Sequence, residues 1–194
     1  LCSSAIVLEY GQTAFSGSTD EAISYYLQSE DRSKVSLRNR EDRLGSAELK
    51  FVDIDIINSK NEKVSEVFAG ESIRIDFHYE INKAFDLEEF LLSIVIFDNE
   101  EKIMAAFPSD ELGTKFNIDF NRSEGIISLN IDEFLFRPNE YYLSIYSFLN
   151  DSGVENYVDM VKNATVFKVI NNDFFHAGNL IRNGNYTLLK GNYT

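Results

Sequence analysis

The chain has 194 residues, a net charge of −14 and 44% hydrophobic residues, which is enough for one sizeable core with extensions. The acidic excess disfavours binding to nucleic acid or to an anionic membrane surface, because both depend largely on Lys and Arg. Cys2 is the single cysteine, which excludes an internal disulfide framework. No apolar run approaches the roughly 20 residues that span a bilayer. We therefore expect no nucleic-acid partner and no direct insertion into a membrane.

The first 27 residues predict a short β-hairpin followed by a helix. Two strand-like segments meet at Tyr10-Gly11, where glycine suits a tight reversal. Ser18 and Glu21 have the spacing of a capping box, which predicts that a helix begins there. The apolar face of that helix would comprise Ala22, Ile23, Tyr26 and Leu27.

Residues 28–45 alternate in charge and show no apolar periodicity. This pattern favours a solvated linker, and the main alternative is a short exposed helix.

From Ser46 onward the apolar residues recur with a period of two, which is typical of half-buried strands. The clearest segment runs from Ile73 to Tyr79. Further strands are predicted at Val52–Ile56, Leu92–Ile96, Ile126–Ile131, Tyr141–Ile145 and Val166–Val169, with irregular edge strands around Ile103–Phe107 and Lys115–Phe120. Strands without intervening helices predict an all-β fold, an antiparallel β-sandwich of immunoglobulin-like or jelly-roll-like type over residues 46–170.

The C-terminal tail, residues 171–194, has weak strand patterns at Leu180–Ile181 and Tyr186–Leu189. These segments could pair with an open edge of the sandwich or with a second chain. The pattern alone does not distinguish the two.

The order of these segments resembles a known family. Residues 1–27 resemble the closing segment of an ABC transporter nucleotide-binding domain. Gly70-Glu71-Ser72-Ile73 leads into a strand that ends at Tyr79, and Leu135–Ser144 is similar to a Leu-x-Pro-Gly-x-Tyr-x-Leu-Ser motif, with Asn139 in place of the usual Gly. Together they resemble the C-terminal half of Wzt-type ATPases, the nucleotide-binding subunits of ABC exporters for O-antigen and related polysaccharides.

The resemblance implies a fragment with a remnant of the ATPase at its N-terminus and a polysaccharide-binding sandwich behind it. Members bind the exported polymer, often near its modified non-reducing end, and commonly dimerise, in some cases by exchanging a C-terminal strand. The implied partners are the O-polysaccharide, the transmembrane permease (through the missing ATPase half) and a second copy of the chain. The implied location is the cytoplasmic face of the bacterial inner membrane. The alternative is a structural module that dimerises or regulates the ATPase subunits without binding glycan.

Sugar recognition needs aromatic faces for stacking and polar groups for hydroxyls. If Tyr141, Leu143 and Ile145 point into the core, the intervening residues of that strand and the alternate residues of the Leu92–Ile96 strand point outward. The resulting candidate glycan platform comprises Tyr142, Tyr146, Phe97, Phe148, Ser144 and Ser93, with Ser109 and Asp110 as a candidate rim. The competing interpretation is that the tail or a dimer partner covers this face.

A second candidate face is the outward row of the opposite sheet, formed by Arg74, Asp76, His78 and Glu80. These side chains could hydrogen-bond to sugar hydroxyls, although a solvated face explains them as well. The sequence has no P-loop, no Gly-x-Ser-x-Gly and no acidic loop with calcium spacing. We expect a non-catalytic fragment without a cofactor or a metal site.

Overall fold

The computed structural model describes residues 2–9, 12–30, 36–184 and 186–191. The predicted turn at Tyr10-Gly11 and the side chains of Tyr26 and Leu27 lie outside the described residues. The chain divides into two compact units, one up to residue 35 and one from Ser36 onward. Within the described ranges, no helix has the length and apolarity needed to cross a membrane.

The first unit is a hairpin and a helix, as predicted. β1 (Ser4–Glu9) pairs antiparallel with β2 (Gln12–Ser18), and α1 spans Thr19–Glu30. The Ser18 amide donates to Glu21 Oε2 at 3.0 Å and the Glu21 amide donates to Ser18 Oγ at 3.4 Å, which confirms the capping box. Hydrogen bonds from Ser18 lower the pKa of Glu21. Ala22 is buried but Ile23 is 51% exposed, so Ile23 does not belong to the buried face.

The second unit is a β-sandwich, in which the described residues form eight strands. These are β3 (Leu49–Ile57), β4 (Glu66–Phe68), β5 (Ile73–Ile81), β6 (Phe90–Phe97), β7 (Ile103–Pro108), β8 (Glu124–Ile131), β9 (Asn139–Leu149) and β10 (Tyr157–Ile170). One sheet has the order β4-β10-β9-β6-β7 and the other the order β3-β5-β8. Among the described residues, 3₁₀ helices lie at Leu37–Asn39, Leu87–Glu89 and Val154–Asn156. The all-β sandwich is confirmed, although β4 was not predicted and pairs parallel with β10.

The core lies between the two sheets, and the predicted alternation decides which residues enter it. In β9, Tyr141, Leu143 and Ile145 have no exposed surface. The Tyr141 hydroxyl donates to the Arg137 carbonyl at 2.8 Å, and burial raises its pKa to about 12. The buried Tyr141 hydroxyl therefore has a hydrogen-bond acceptor in the turn that leads into β9.

The predicted edge strand at Lys115–Phe120 is wrong, because these residues form an irregular segment. Their apolar side chains nevertheless enter the core. Ile118 is buried, Phe116 packs edge-on against Phe90 at 5.1 Å, and Phe120 packs edge-on against Phe85 at 5.1 Å. The alternating apolar residues of this segment are therefore buried, although its backbone does not pair with a neighbouring strand.

The prediction of a solvated linker does not hold from Ser36 onward. Leu37 is 5% exposed and belongs to the core. The Arg40 guanidinium is also buried and donates to the carbonyls of Lys162 and Asn163 at 2.8 and 3.0 Å. These two carbonyls lie where the register between β9 and β10 shifts. Such an irregularity interrupts the backbone hydrogen bonds between the strands, and the Arg40 guanidinium donates to the two carbonyls there instead.

Arg43 holds the same segment to β10 through a buried ion pair. Its Nη2 donates to Asp159 Oδ2 at 2.9 Å and to the Phe51 carbonyl at 2.8 Å. Burial raises the pKa of Asp159 to about 6, against the opposing attraction of Arg43. Arg40 and Arg43 are therefore bound within the sandwich, which a pattern of alternating charges does not reveal.

The tail packs onto its own chain over the residues that the structure describes. Ile181 and Leu188 are buried in the core, and the Leu188 amide donates to the Leu135 carbonyl at 2.7 Å. Phe174 packs over Gly70. Of the two strand segments predicted in the tail, the described part of Tyr186–Leu189 forms one isolated β-bridge, between Phe136 and Thr187. Leu180–Ile181 forms none.

We expect Gly70→Ala to destabilise the sandwich more than Gly178→Ala. The two glycines have nearly the same backbone angle, with φ of 79° and 78°, so both substitutions carry similar left-handed strain. A Cβ at Gly70 would also lie 2.5 Å from the Phe174 ring, whereas nothing lies within 4 Å at Gly178. Overpacking of this kind costs about 1–3 kcal/mol beyond the strain. Urea unfolding of both variants measures the difference, and equal losses would show that Phe174 does not constrain this turn.

We expect Arg43→Met to lower the free energy of unfolding more near pH 7 than near pH 5. Because the pKa of Asp159 in the folded chain lies above its unfolded value, stability falls as pH rises through about 6. Removal of the guanidinium raises that pKa further, and each added unit costs roughly 1.4 kcal/mol once the carboxylate ionises. In an Asp159→Asn background the same substitution should cost equal amounts at both pH values. An equal loss at both pH values in the unaltered background would contradict the coupling.

Candidate functional site

The outer face of the five-stranded sheet carries a row of partly exposed side chains on β6. Leu92, Ile94 and Ile96 point into the core and are at most 5% exposed. The alternate residues therefore face outward, and they are Leu91, Ser93, Val95 and Phe97. β6 lies between β9 and β7, so both neighbours add side chains to this row.

A groove of about 570 Å³ runs over this face. Its floor is mainly apolar and aromatic, and its rim consists of the loops that follow β7 and β9. The floor residues are Leu91, Ser93, Val95, Phe97, Ile103, Pro108, Tyr146 and Phe148, and the rim residues are Asp110, Glu111, Asn150, Asp151 and Ser152. Leu92 also borders the groove, although its side chain points into the core. Such a lining suits a ligand that has one apolar face and many hydroxyls.

The register of β9 against β6 sets the aromatic part of the floor. Tyr146 lies opposite Ser93, and Phe148 lies opposite Leu91. Phe148 is only 7% exposed, because the Tyr157 ring of β10 packs on it with centroids 4.9 Å apart. Tyr146 is half-buried and is the more accessible of the two rings.

The structure brings five of the predicted site residues together in the groove. They are Ser93, Phe97, Tyr146, Phe148 and the rim residue Asp110.

Three other predicted residues do not line the groove. Ser144 is 1% exposed, and its hydroxyl accepts a hydrogen bond from the Asn163 amide at 3.0 Å. Ser109 is 5% exposed, and its hydroxyl accepts from the Leu92 amide at 3.0 Å. Tyr142 lies further along the same strand face, where its hydroxyl donates to Glu140 Oε1 at 2.7 Å. Both serines instead satisfy backbone groups of neighbouring strands.

The loop that follows β9 supplies rim residues that the sequence analysis did not single out. Asp151 accepts from the Gly153 amide at 2.8 Å and from Asn156 Nδ2 at 2.7 Å, so its own loop fixes its carboxylate. Asn150 has a φ of 71°, which brings the chain sharply out of the strand. The sequence Asn-Asp-Ser-Gly at 150–153 is typical of a turn, so this loop could have been predicted from the sequence.

The second candidate face is largely engaged within the chain. Arg74 Nε donates to Asp76 Oδ1 at 3.0 Å, and Asp76 also accepts from Ser128 Oγ at 2.6 Å. His78 Nε2 lies 3.2 Å from Asp55 Oδ2, and Glu80 pairs with Arg38. Burial raises the pKa of Asp55, but hydrogen bonds from Lys63 and His78 outweigh it and the pKa is lowered.

A wide polar groove of about 840 Å³ lies beside His78. The other three predicted residues of this face do not line it. The four predicted residues of this face are therefore engaged with neighbouring side chains, and only His78 lines the groove.

Residues 2–9, 12–30, 36–184 and 186–191 contain no group of three His, Cys, Asp or Glu side chains that could hold a metal ion. In the groove, the described lining residues include three carboxylates and no Lys, Arg or His. The arrangement can stack an apolar face and accept hydrogen bonds at its rim.

The fold matches a solved structure described as the crystal structure of the C-terminal domain of Wzt. The TM-score is 0.63 at 14% identity, and the match covers 84% of this chain and 95% of that chain. No curated protein sequence matches the chain. The family model of the Wzt C-terminal domain matches residues 40–181, a range that includes every lining residue of the groove. The chain belongs to the Wzt C-terminal domain family.

Proposed function

We propose that the sandwich binds an O-antigen-type polysaccharide in the groove on β6, near the modified non-reducing end of the polymer, and presents it to an ABC exporter. The family to which the chain belongs is associated with polysaccharide export. The observation that carries the proposal is the floor of the groove, where Phe97 and Tyr146 lie beside aliphatic side chains below a polar rim.

The chemistry of the groove fits a saccharide better than a purely apolar ligand. Sugar rings have C–H faces that stack on aromatic side chains, and their hydroxyls donate to carboxylates at the edge. Tyr146 and Phe97 come from neighbouring strands whose inner residues are fully packed, so their positions are fixed before a ligand arrives.

We further infer that the N-terminal unit is the end of a nucleotide-binding domain. Ile6 and Leu8 of β1 are 62% and 64% exposed, and a two-stranded hairpin with such a face is normally covered by other structure. In that arrangement the parent protein is an ATPase at the cytoplasmic face of the bacterial inner membrane. Its nucleotide-binding half meets the transmembrane permease, and the sandwich itself is not catalytic.

One observation favours a second function, dimerisation of the ATPase subunits. The tail exposes apolar side chains, with Leu180 at 63% and Leu189 at 79%. A second copy of the chain could cover them and produce a homodimer without any role for glycan.

We expect Tyr146→Ala to weaken binding of the O-polysaccharide from the source strain about tenfold, because it removes a stacking ring from the floor of the groove. Tyr142→Ala is the matched control, since Tyr142 lies on the same strand and the same face but outside the groove. Its affinity should equal that of the unaltered chain. Isothermal titration with the cognate polymer, and with a polymer of different structure, measures both.

Sedimentation of these two variants and of Leu189→Ser separates the two functions. Lost glycan binding with an unchanged oligomeric state supports recognition in the groove. If no polymer binds and Leu189→Ser dissociates a dimer, the structural role stands and the proposed recognition is wrong.

A further inference from the structure

We propose that the groove selects uncharged sugar units and rejects those that carry a carboxylate or a phosphate. This inference rests on the proposed function and specifies the substrate class for the same groove. It derives from the charges of the lining. Asp110, Glu111 and Asp151 are acidic, and no described lining residue is basic.

The three carboxylates are available to a ligand. All three are exposed, and no ion pair joins any of them to another residue in the described part of the chain. Asp110 and Glu111 follow β7, and Asp151 follows β9, so carboxylates come from the loops of both strands that flank β6. Pro108 lies opposite Ser93 and Leu149 lies opposite Phe90, so the negative charge is concentrated at the end of the groove where β6 begins.

A carboxylate rim suits hydroxyl donors. An ionised carboxylate only accepts hydrogen bonds, and it can take two from one sugar ring. The hydroxyls of an uncharged sugar provide such donors while the C–H face of the ring rests on Tyr146, which lies opposite Ser93 near the same end of β6. Asp151, already held by Gly153 and Asn156, keeps lone pairs for this purpose.

An anionic sugar meets the opposite situation at the same rim. Its carboxylate or phosphate offers no donor there and faces three like charges without a cation among the described lining residues. Because the rim is exposed, salt screens this repulsion over about 10 Å at 0.1 M ionic strength. The discrimination should therefore be largest at low salt.

The test uses three forms of one polymer, the O-polysaccharide of the source strain. These are the unmodified polymer, a partially carboxymethylated form, and the same carboxymethylated form with its acid groups converted to amides. The two modified forms have nearly the same bulk and differ in charge. At low salt we expect the full chain to bind the carboxymethylated form about tenfold more weakly than the amide form, with the ratio falling as salt rises.

Two double variants show whether the rim produces the discrimination. Asp110→Asn with Glu111→Gln should reduce the ratio severalfold. Glu41→Gln with Asp132→Asn makes the same change in net charge at exposed positions outside the groove, and should leave the ratio unchanged.

Equal binding of the carboxymethylated and amide forms, or an equal effect of the two double variants, would overturn the selectivity but not the proposed function. A natural polymer that is itself acidic and loses affinity with Tyr146→Ala would overturn it too. If the unmodified polymer does not bind at all, the proposed function fails, and this inference fails with it.

Discussion

The register between β6 and β9 is the constraint on which the groove depends. Leu143 and Ile145 are completely buried and lie opposite Ile96 and Ile94, which are at most 2% exposed. A slip by one residue would turn these side chains into solvent and drive outward residues such as Tyr146 into the core. The packing between the sheets therefore fixes the outer surface as firmly as the inner one. Recognition chemistry on the outer face can then vary without loss of the fold.

Much of this arrangement was predictable because burial in a strand repeats every second residue. Ile73–Tyr79 and Tyr141–Ile145 showed the repeat, and their inner faces were predicted correctly. Sequence periodicity gave the direction of Tyr146 and Phe97, and hence part of the groove. It could not show that Ser144 faces outward yet is buried, since the register shift opposite it on β10 depends on tertiary packing.

The segment before β3 shows a second limit of sequence patterns. Alternating charges normally indicate a solvated segment, because isolated ions lose hydration free energy when they are buried. Arg40 and Arg43 escape this penalty because Arg40 pairs with Asp42 and also donates to two carbonyls of β10, while Arg43 pairs with the carboxylate of Asp159. The acceptors on β10 lie more than 100 residues away in sequence. Asp42 is close in sequence, but only the folded chain shows the partners on β10.

The anchoring of Arg40 at the irregularity of β10 has a mechanical consequence. Tension applied at Ser36 would act first on the buried Leu37 side chain and on the Arg38–Glu80 pair. The hydrogen bonds from Arg40 to Lys162 and Asn163 would be loaded only after those contacts break, and the Arg43–Asp159 pair only after that. Successive anchors therefore protect the start of β3 from a pull on the preceding chain.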